Sequence, residues 1–253
     1  MRKSYSFSNR PRENYISTEQ QLMDKIAVVV LNSFNDISAF SMKGGWVLSK
    51  LFPNGFRKTV DVDMSISDVK YFDNLINNLE ELCVNLMNTG DIHNYKIIYP
   101  NVETHRSGGV KMYRLAPNGR KYKVSGLDVS IKSLDSCVVV MNDFLPVFCF
   151  ERMLADKISV LFSNGYLRRI KDIFDARLII EKCELDAEKL LKFLYDNNVV
   201  FDLNQSVFSE DLELLKNEWN AFLNNSNPKN YIDLSDNLTK IKEYLIKTGV
   251  ITK

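Results

Sequence analysis

Histidine is nearly missing from this chain: His93 and His105 are the only two in 253 residues. Neither stands in a serine–aspartate or metal-binding context, so a histidine-based hydrolase is disfavoured, and both are expected in loops or at the surface. Cysteine is scarce and unpatterned. Cys83, Cys137, Cys149 and Cys183 form no CxxC pair and have no histidine at metal-finger spacing. That argues against structural zinc, and scattered thiols suit a reducing cytosol better than a disulfide framework. Long apolar runs are lacking too. The longest clean ones, Ile26–Leu31 and Cys137–Met141, are far too short to cross a bilayer. The N-terminus, MRKSYSFSNRPRENY, has no apolar core of the kind a signal peptide needs. A soluble, cytoplasmic protein with no membrane partner is the expectation. Charge of one sign is absent as well. A formal net charge of +1 exerts no overall pull on nucleic acid or anionic lipid, so any polyanion site must come from local clustering.

What is present is a globular composition, long enough for one large domain or two modest ones. Residues 1–16 read as a loose basic arm. Ser17 and Thr18 each have a glutamine three positions on, Gln20 and Gln21, either pair suiting a capping box for a helix to about Phe34. Ile37–Met42 reads as a short strand, Gly45 to about Leu51 as a helix ended by Pro53-Asn54-Gly55, and Val60–Ile66 as a strand. Ser67 or Asp68 can cap a helix over about 69–88. Strand-like segments follow at Tyr95–Tyr99, Val110–Leu115 and Tyr122–Ile131, the last two joined at Asn118-Gly119 as a hairpin. From Cys149 onward the periodicity is helical, over about 149–163, 166–182, 186–197, 209–224 and 233–248, with a plain loop at 224–228. The expected organisation is a mixed α/β domain over 1–148 and a helical domain over 149–253.

The chemistry gathers in Met42–Ile66, MKGGWVLSKLFPNGFRKTVDVDMSI. Gly44-Gly45 at a strand-to-helix junction lets backbone approach a ligand, and helix N-terminal amides attract phosphate; the same pair also marks an ordinary tight turn. Lys43 stands just before it, within reach of a phosphate or of solvent. Asp61 and Asp63 share one strand face, where adjacent like charges are costly without a cation. Asp128, on another strand and flanked by apolar residues, adds a third carboxylate. Three converging acids can hold two Mg²⁺ ions, with Asp128 also placed as a general base, although Asp128 equally suits a strand-end residue bonded to backbone. In the helical half, Lys157 lies among Met153, Leu154, Ile158 and Leu161, so a helix face can bury its stem and aim its ammonium inward. Asp172, in the run Lys171-Asp172-Ile173-Phe174-Asp175 after Arg168-Arg169, is a partner for that lysine or for a ribose; the alternative is a surface salt-bridge network. Basic residues also collect at Arg106, Lys111, Arg114, Arg120, Lys121 and Lys123, with Tyr113 and Tyr122 among them. That is either an RNA backbone track with stacking rings or a solvated strand edge.

Together these residues resemble the nucleotidyltransferase superfamily, the polymerase-β-like fold, in which a glycine pair opens a helix, a strand carries D-x-D and a neighbouring strand supplies a third acid. More narrowly, Lys43-Gly44-Gly45, Leu48 and Arg57-x-Thr59-x-Asp61-x-Asp63-Met64, followed by Ala155-x-Lys157 and Lys171-Asp172-x-x-Asp175, resemble the AbiEii/AbiGii toxins. These are the toxin halves of type IV toxin–antitoxin and abortive-infection systems, the MenT-type enzymes included. The resemblance implies an α+β fold, a nucleotidyltransferase-like mixed sheet flanked by helices and followed by a C-terminal helical bundle. It implies transfer of a nucleoside monophosphate from an NTP to an acceptor, with Mg²⁺ (or Mn²⁺) as cofactor and release of pyrophosphate. The acceptor it implies is RNA, the tRNA 3′ end in some members, and the partner a separately encoded antitoxin. By the same resemblance Lys43, Gly44, Gly45, Arg57, Thr59 and Lys157 contact nucleotide, and Asp61, Asp63 and Asp128 hold metal. Asp61, Asp63, Asp128, Lys157 and Asp172 form the catalytic set. Alternative readings are transfer to a protein or small-molecule hydroxyl, or a catalytically silent fold that only binds NTP. Trp46 departs from the family's hydroxyl residue after the glycines, and its indole is expected to stack on a base or narrow the pocket.

Overall fold

The computed structural model describes residues 2–6, 17–53, 56–101, 103–104, 106–134, 138–141, 145–163, 170–203, 206–208, 212–226 and 233–251. The expected Asn54-Gly55 turn, the rest of the basic arm, His105, Cys137, Arg168-Arg169 and the end of the 224–228 loop lie outside the described residues. In chain order the elements are β1 (Arg2–Ser6), α1 (Glu19–Asn32), a 3₁₀ turn (Ile37–Ala39), β2 (Phe40–Lys43), α2 (Gly44–Leu51), β3 (Val62–Ile66), α3 (Lys70–Thr89), β4 (Asn94–Ile98), β5 (Gly108–Leu115) and β6 (Lys121–Ile131). Then follow β7 (Val138–Met141), β8 (Leu145–Phe148), α4 (Phe150–Leu161), α5 (Ile170–Lys182), α6 (Ala187–Asp196), α7 (Leu212–Ser226) and α8 (Leu234–Lys247). This is an α+β chain with a mixed sheet.

Two compact units share the chain. The first comprises Met1–Leu51 and Thr59–Phe148, the second Phe52–Lys58 and Cys149–Lys253. In the first, eight strands form one sheet in the order β1-β4-β5-β6-β3-β2-β8-β7. Neighbours run antiparallel except at β3–β6 and β2–β8, which are parallel. Alternation sorts the central strands into two faces. Phe40, Met42, Val62, Met64, Ile66, Leu127 and Val129 are fully buried on one, under α1, with α3 beside it against β4 and β5. Those helices contribute Leu22, Ile26, Val30, Phe72, Leu75 and Leu79 to the same core, each contributing roughly 1.5–3 kcal/mol. The opposite face carries the polar residues, which is why the chemistry collects there.

The capping box of α1 uses Thr18 and Gln21: Gln21 N donates to Thr18 Oγ1 at 3.2 Å and Thr18 N to Gln21 Oε1 at 2.7 Å. Four readings need correction. Arg2–Ser6 is no loose arm but an edge strand, paired antiparallel with β4. Ile37–Ala39 turns as a 3₁₀ helix before the strand begins, because Asp36 Oδ1 accepts from Ser38 N at 2.8 Å and closes the turn. Val138–Met141 and Leu145–Phe148 pair antiparallel as β7 and β8, two strands the sequence pattern did not announce; Pro146 demotes a short strand pattern. His93 does lie in the connection between α3 and β4, but it is not at the surface: it is buried, its backbone N–H donating to Tyr113 O at 2.7 Å.

In the second unit α4 packs on α5 and α6, and α5 on α7 and α8. Trp219 is buried, its ring 5.3 Å from that of Phe222, which in turn lies 6.0 Å from Phe174. Asp186 and Asp233 cap α6 and α8.

Candidate active site

The polar face is built from β2, β3 and β6. In the parallel β3–β6 register Asp63 stands directly opposite Asp128, and Ser65 opposite Ser130. Antiparallel pairing sets Lys43 opposite Asp63 on the other side. Adjacent strands lie about 4.8 Å apart, so Asp63 and Asp128 present neighbouring carboxylates on one surface. Both are half-buried. Lys43 Nζ donates to Ser130 Oγ at 2.7 Å, Ser65 and Ser130 hydroxyls are 2.7 Å apart, and the Lys43 ammonium sits 5.3 Å from the Phe148 ring centre. The Asp128 carboxylate has no hydrogen-bond or ion-pair partner among the described residues.

Helix α2 begins at Gly44, so the first amides of a helix open beside Asp63 with no carbonyl of their own to bond. Gly44 has φ +72, and a Cβ there would lie 2.2 Å from Asp63 Oδ2. Only glycine permits both the backbone angle and the contact. Gly45 is buried in the same turn and Thr59 half-buried in the same unit. Asp61 lies one residue before β3, and Lys123 Nζ approaches its Oδ1 to 2.6 Å. The contact lacks hydrogen-bond alignment; that oxygen is buried with no hydrogen-bond partner. Both side chains stay about one quarter exposed, so the pair is worth at most about 1 kcal/mol.

The second unit holds a different kind of ion cluster. Lys157 Nζ donates to Asp172 Oδ1 at 2.6 Å and to Asp175 Oδ2 at 2.8 Å. Arg57 grips Asp175 with two parallel bonds, Nε to Oδ1 at 2.8 Å and Nη2 to Oδ2 at 2.7 Å. Both carboxylates are wholly buried. Burial alone would push the Asp175 carboxyl up, but the charges of Arg57 and Lys157 outweigh it and hold it well below the usual range. Burial likewise works against the Lys157 ammonium, and the charges of Asp175 and Asp172 outweigh it, raising the lysine above its ordinary value. Breaking one partner out of such a cluster costs about 3–5 kcal/mol. The quartet is therefore fixed, where the Asp61–Lys123 pair is exchangeable.

Against this geometry, a family model described as "Nucleotidyl transferase AbiEii toxin, Type IV TA system" matches residues 31–233. The chain belongs to that family. No curated protein matches it. Among solved structures it is similar to JHP933 from Helicobacter pylori, at 13% identity, covering 94% of this chain and 99% of that one with a TM-score of 0.42. A putative nucleotidyltransferase from H. pylori matches at 17% identity over 83% and 95% of the two chains, TM-score 0.43. The Megavirus polyadenylate synthase matches at 11% identity over 87% of this chain and 38% of its own, TM-score 0.38. Membership of the AbiEii family makes this a nucleotidyltransferase toxin of the type IV toxin–antitoxin class, with a nucleotide substrate and an antitoxin partner. Among the described residues no helix is long and apolar enough to cross a membrane.

Oxygen-only carboxylate donors are the set that hard divalent ions prefer, and Asp63 and Asp128 fit one as adjacent residues of a shared face. Asp61 is not gathered with them: among the described residues no three histidine, cysteine or acidic side chains converge as a metal cage, and Asp61 is engaged by Lys123. Trp46 needs correction. Its indole is buried at 5% exposure and its Nε1–H donates to Asp24 at 3.1 Å, so it braces α2 against α1 instead of facing a base. The basic hairpin of this AbiEii chain is also thinner than it reads. Arg114 is buried, its Nε donating to Asp91 O at 2.8 Å and its Nη2 to Ser17 O. Gly109 and Gly126 were missed. Gly109 (φ +135) stands opposite Asp128, where a Cβ would lie 1.9 Å from Leu127 O; a Cβ on Gly126 would meet Asp61 Oδ1 at 3.2 Å. Their signal was glycine inside a strand pattern, which marks close approach.

Proposed function

We propose that this AbiEii-family chain is a cytoplasmic, Mg²⁺-dependent enzyme, with Mn²⁺ as a substitute, that moves a nucleoside monophosphate from an NTP to the 3′ end of tRNA. The observation that carries the reading is Asp63 set opposite Asp128, with the first amides of α2 opening against Asp63 across a glycine. The acceptor hydroxyl oxygen bonds to the α-phosphorus, the bond from that phosphorus to the bridging oxygen breaks, and pyrophosphate leaves. The chemistry a bound Mg²⁺ supplies is neutralisation of the triphosphate and acidification of the acceptor hydroxyl. Asp63 and Asp128 would hold it, joined by Asp61. Gly44 and Gly45 offer backbone N–H groups to the phosphates. Asp128, unpartnered among the described residues, takes the hydroxyl proton. Lys157 has three N–H donors, two of them committed to Asp172 and Asp175 within the second unit. Loss of growth, opposed by the antitoxin, follows from tRNA that can no longer be charged.

The test is incubation of the protein with each α-labelled NTP, Mg²⁺ and total tRNA. Label should move onto tRNA from one NTP, and Asp63→Asn should abolish transfer while the melting curve stays within a few degrees of wild type. Withdrawal of Arg114 and Lys123 from the basic hairpin favours a second reading, a protein or small-molecule hydroxyl as acceptor. Label that reaches protein or a small product but never RNA would establish it.

A further inference from the structure

The β5–β6 hairpin delivers an ammonium onto the acidic face, and two backbone features serve that delivery. Plain alternation back from Asp128 would place Gly126 and then Val124 on its face. Instead Met112 pairs with Ser125 and Tyr113 with Lys123, so Val124 is skipped. The bulge shifts the strand's phase, puts Lys123 on the face of Asp128 and sends Val124 into the core, where it is buried. Bulges beside active sites re-aim side chains in this manner. Gly126 is the second feature. A Cβ there would meet Val110 O at 2.6 Å, Asp61 Oδ1 at 3.2 Å and Lys123 Cε at 3.3 Å, so glycine first admits the β5 backbone and also leaves room for the lysine stem beside Asp61.

We propose that Lys123 is a tethered counter-cation: it holds Asp61 in the metal-free protein, competes with a divalent ion for that carboxylate, and so lowers the metal affinity of the acidic face. The inference rests on the reading of Asp61, Asp63 and Asp128 as metal ligands. Competition is possible because the pair is weak; its side chains are 27% and 25% exposed, in contrast to the buried Lys157 cluster. Removing the lysine also removes a positive neighbour that repels the incoming ion.

The experiment is titration of Mn²⁺ alone, followed by calorimetry at low salt, into the full chain and its Lys123→Met, Lys123→Arg, Asp61→Asn, Asp63→Asn and Asp61→Asn/Lys123→Met variants. Lys123→Met should bind Mn²⁺ about 2- to 5-fold more tightly than wild type, and Lys123→Arg should match wild type. The gain should vanish in the Asp61→Asn background. Unchanged or weaker binding by Lys123→Met, while Asp63→Asn abolishes binding, overturns the counter-cation and leaves the metal reading standing. A gain that persists without Asp61 also overturns it, since the lysine would then act through its general field. Absence of Mn²⁺ binding in every protein, wild type included, overturns both. Should Lys123→Met fail to fold, Lys123→Gln carries the same expectation.

Discussion

At the scale of single residues, the acidic face depends on atoms that are missing. A methyl group on residue 44 would collide with the Asp63 carboxylate and would sit on a backbone with φ +72. The angle alone costs an L-residue roughly 1–2 kcal/mol, and relief of the collision has to move Asp63. Gly44→Ala should therefore lower the melting temperature by several degrees and cut nucleotide transfer by about 100-fold, as checked by calorimetry and single-turnover assay on the same preparation. Trp46 makes the opposite case, a residue that looks like a base platform and serves as a brace. Trp46→Phe keeps the bulk and loses the bond to Asp24, so stability should fall by about 1 kcal/mol with the order of NTP preference unchanged.

Among elements, Arg114 acts as a latch. It sits on β5, yet its guanidinium binds carbonyls of Asp91, between α3 and β4, and Ser17, before α1. The Asp91 carboxylate in turn accepts from Ser17 N at 2.6 Å and Ser17 Oγ at 3.0 Å. Arg114→Met leaves those buried carbonyls unpaired and should cost about 2–3 kcal/mol in urea denaturation. If RNA is bound, its salt dependence should not change, because the arginine never faces solvent. Arg120 and Lys121 are exposed at the hairpin. Their joint replacement by alanine should reduce the slope of log K against log salt by about 1–2 and leave the urea midpoint within error.

For the molecule as a whole, the buried quartet gives stability its pH window. Asp175 is depressed in the folded state because Arg57 and Lys157 outweigh its burial. Its contribution is fully present above the unfolded carboxylate value of about 3.9 and is lost as pH falls through the acid range. Lys157 is raised, so its share is present below about 10.4 and is lost as pH rises beyond that. The melting temperature should hold across neutral pH and fall away on both sides. Asp175→Asn should lower the plateau by about 3–5 kcal/mol and flatten the acid limb, both read from melting curves taken from about pH 2 to about pH 11.

Much of this chain follows from the sequence alone, because local rules decide it. The Thr18–Gln21 box, the apolar stripes of α1 and α3 and the Asn118-Gly119 hairpin depend on near neighbours. So does the glycine pair at the start of α2. Even the Lys157–Asp172 contact was legible, since two helices close in sequence carry it. Tertiary structure decided the rest. Asp63 and Asp128 meet only because β3 and β6 pair in parallel across 65 positions (a register set by burial of Val62, Met64, Leu127 and Val129 on the reverse side). Arg57 joins Asp175 across 118 positions, Arg114 reaches Ser17 across 97, and one skipped residue in β6 turns Lys123 toward Asp61. Charge and periodicity name the participants, but which face a side chain takes, and which buried ion it must neutralise, are settled by long-range pairing and by the cost of leaving a charge alone in the core.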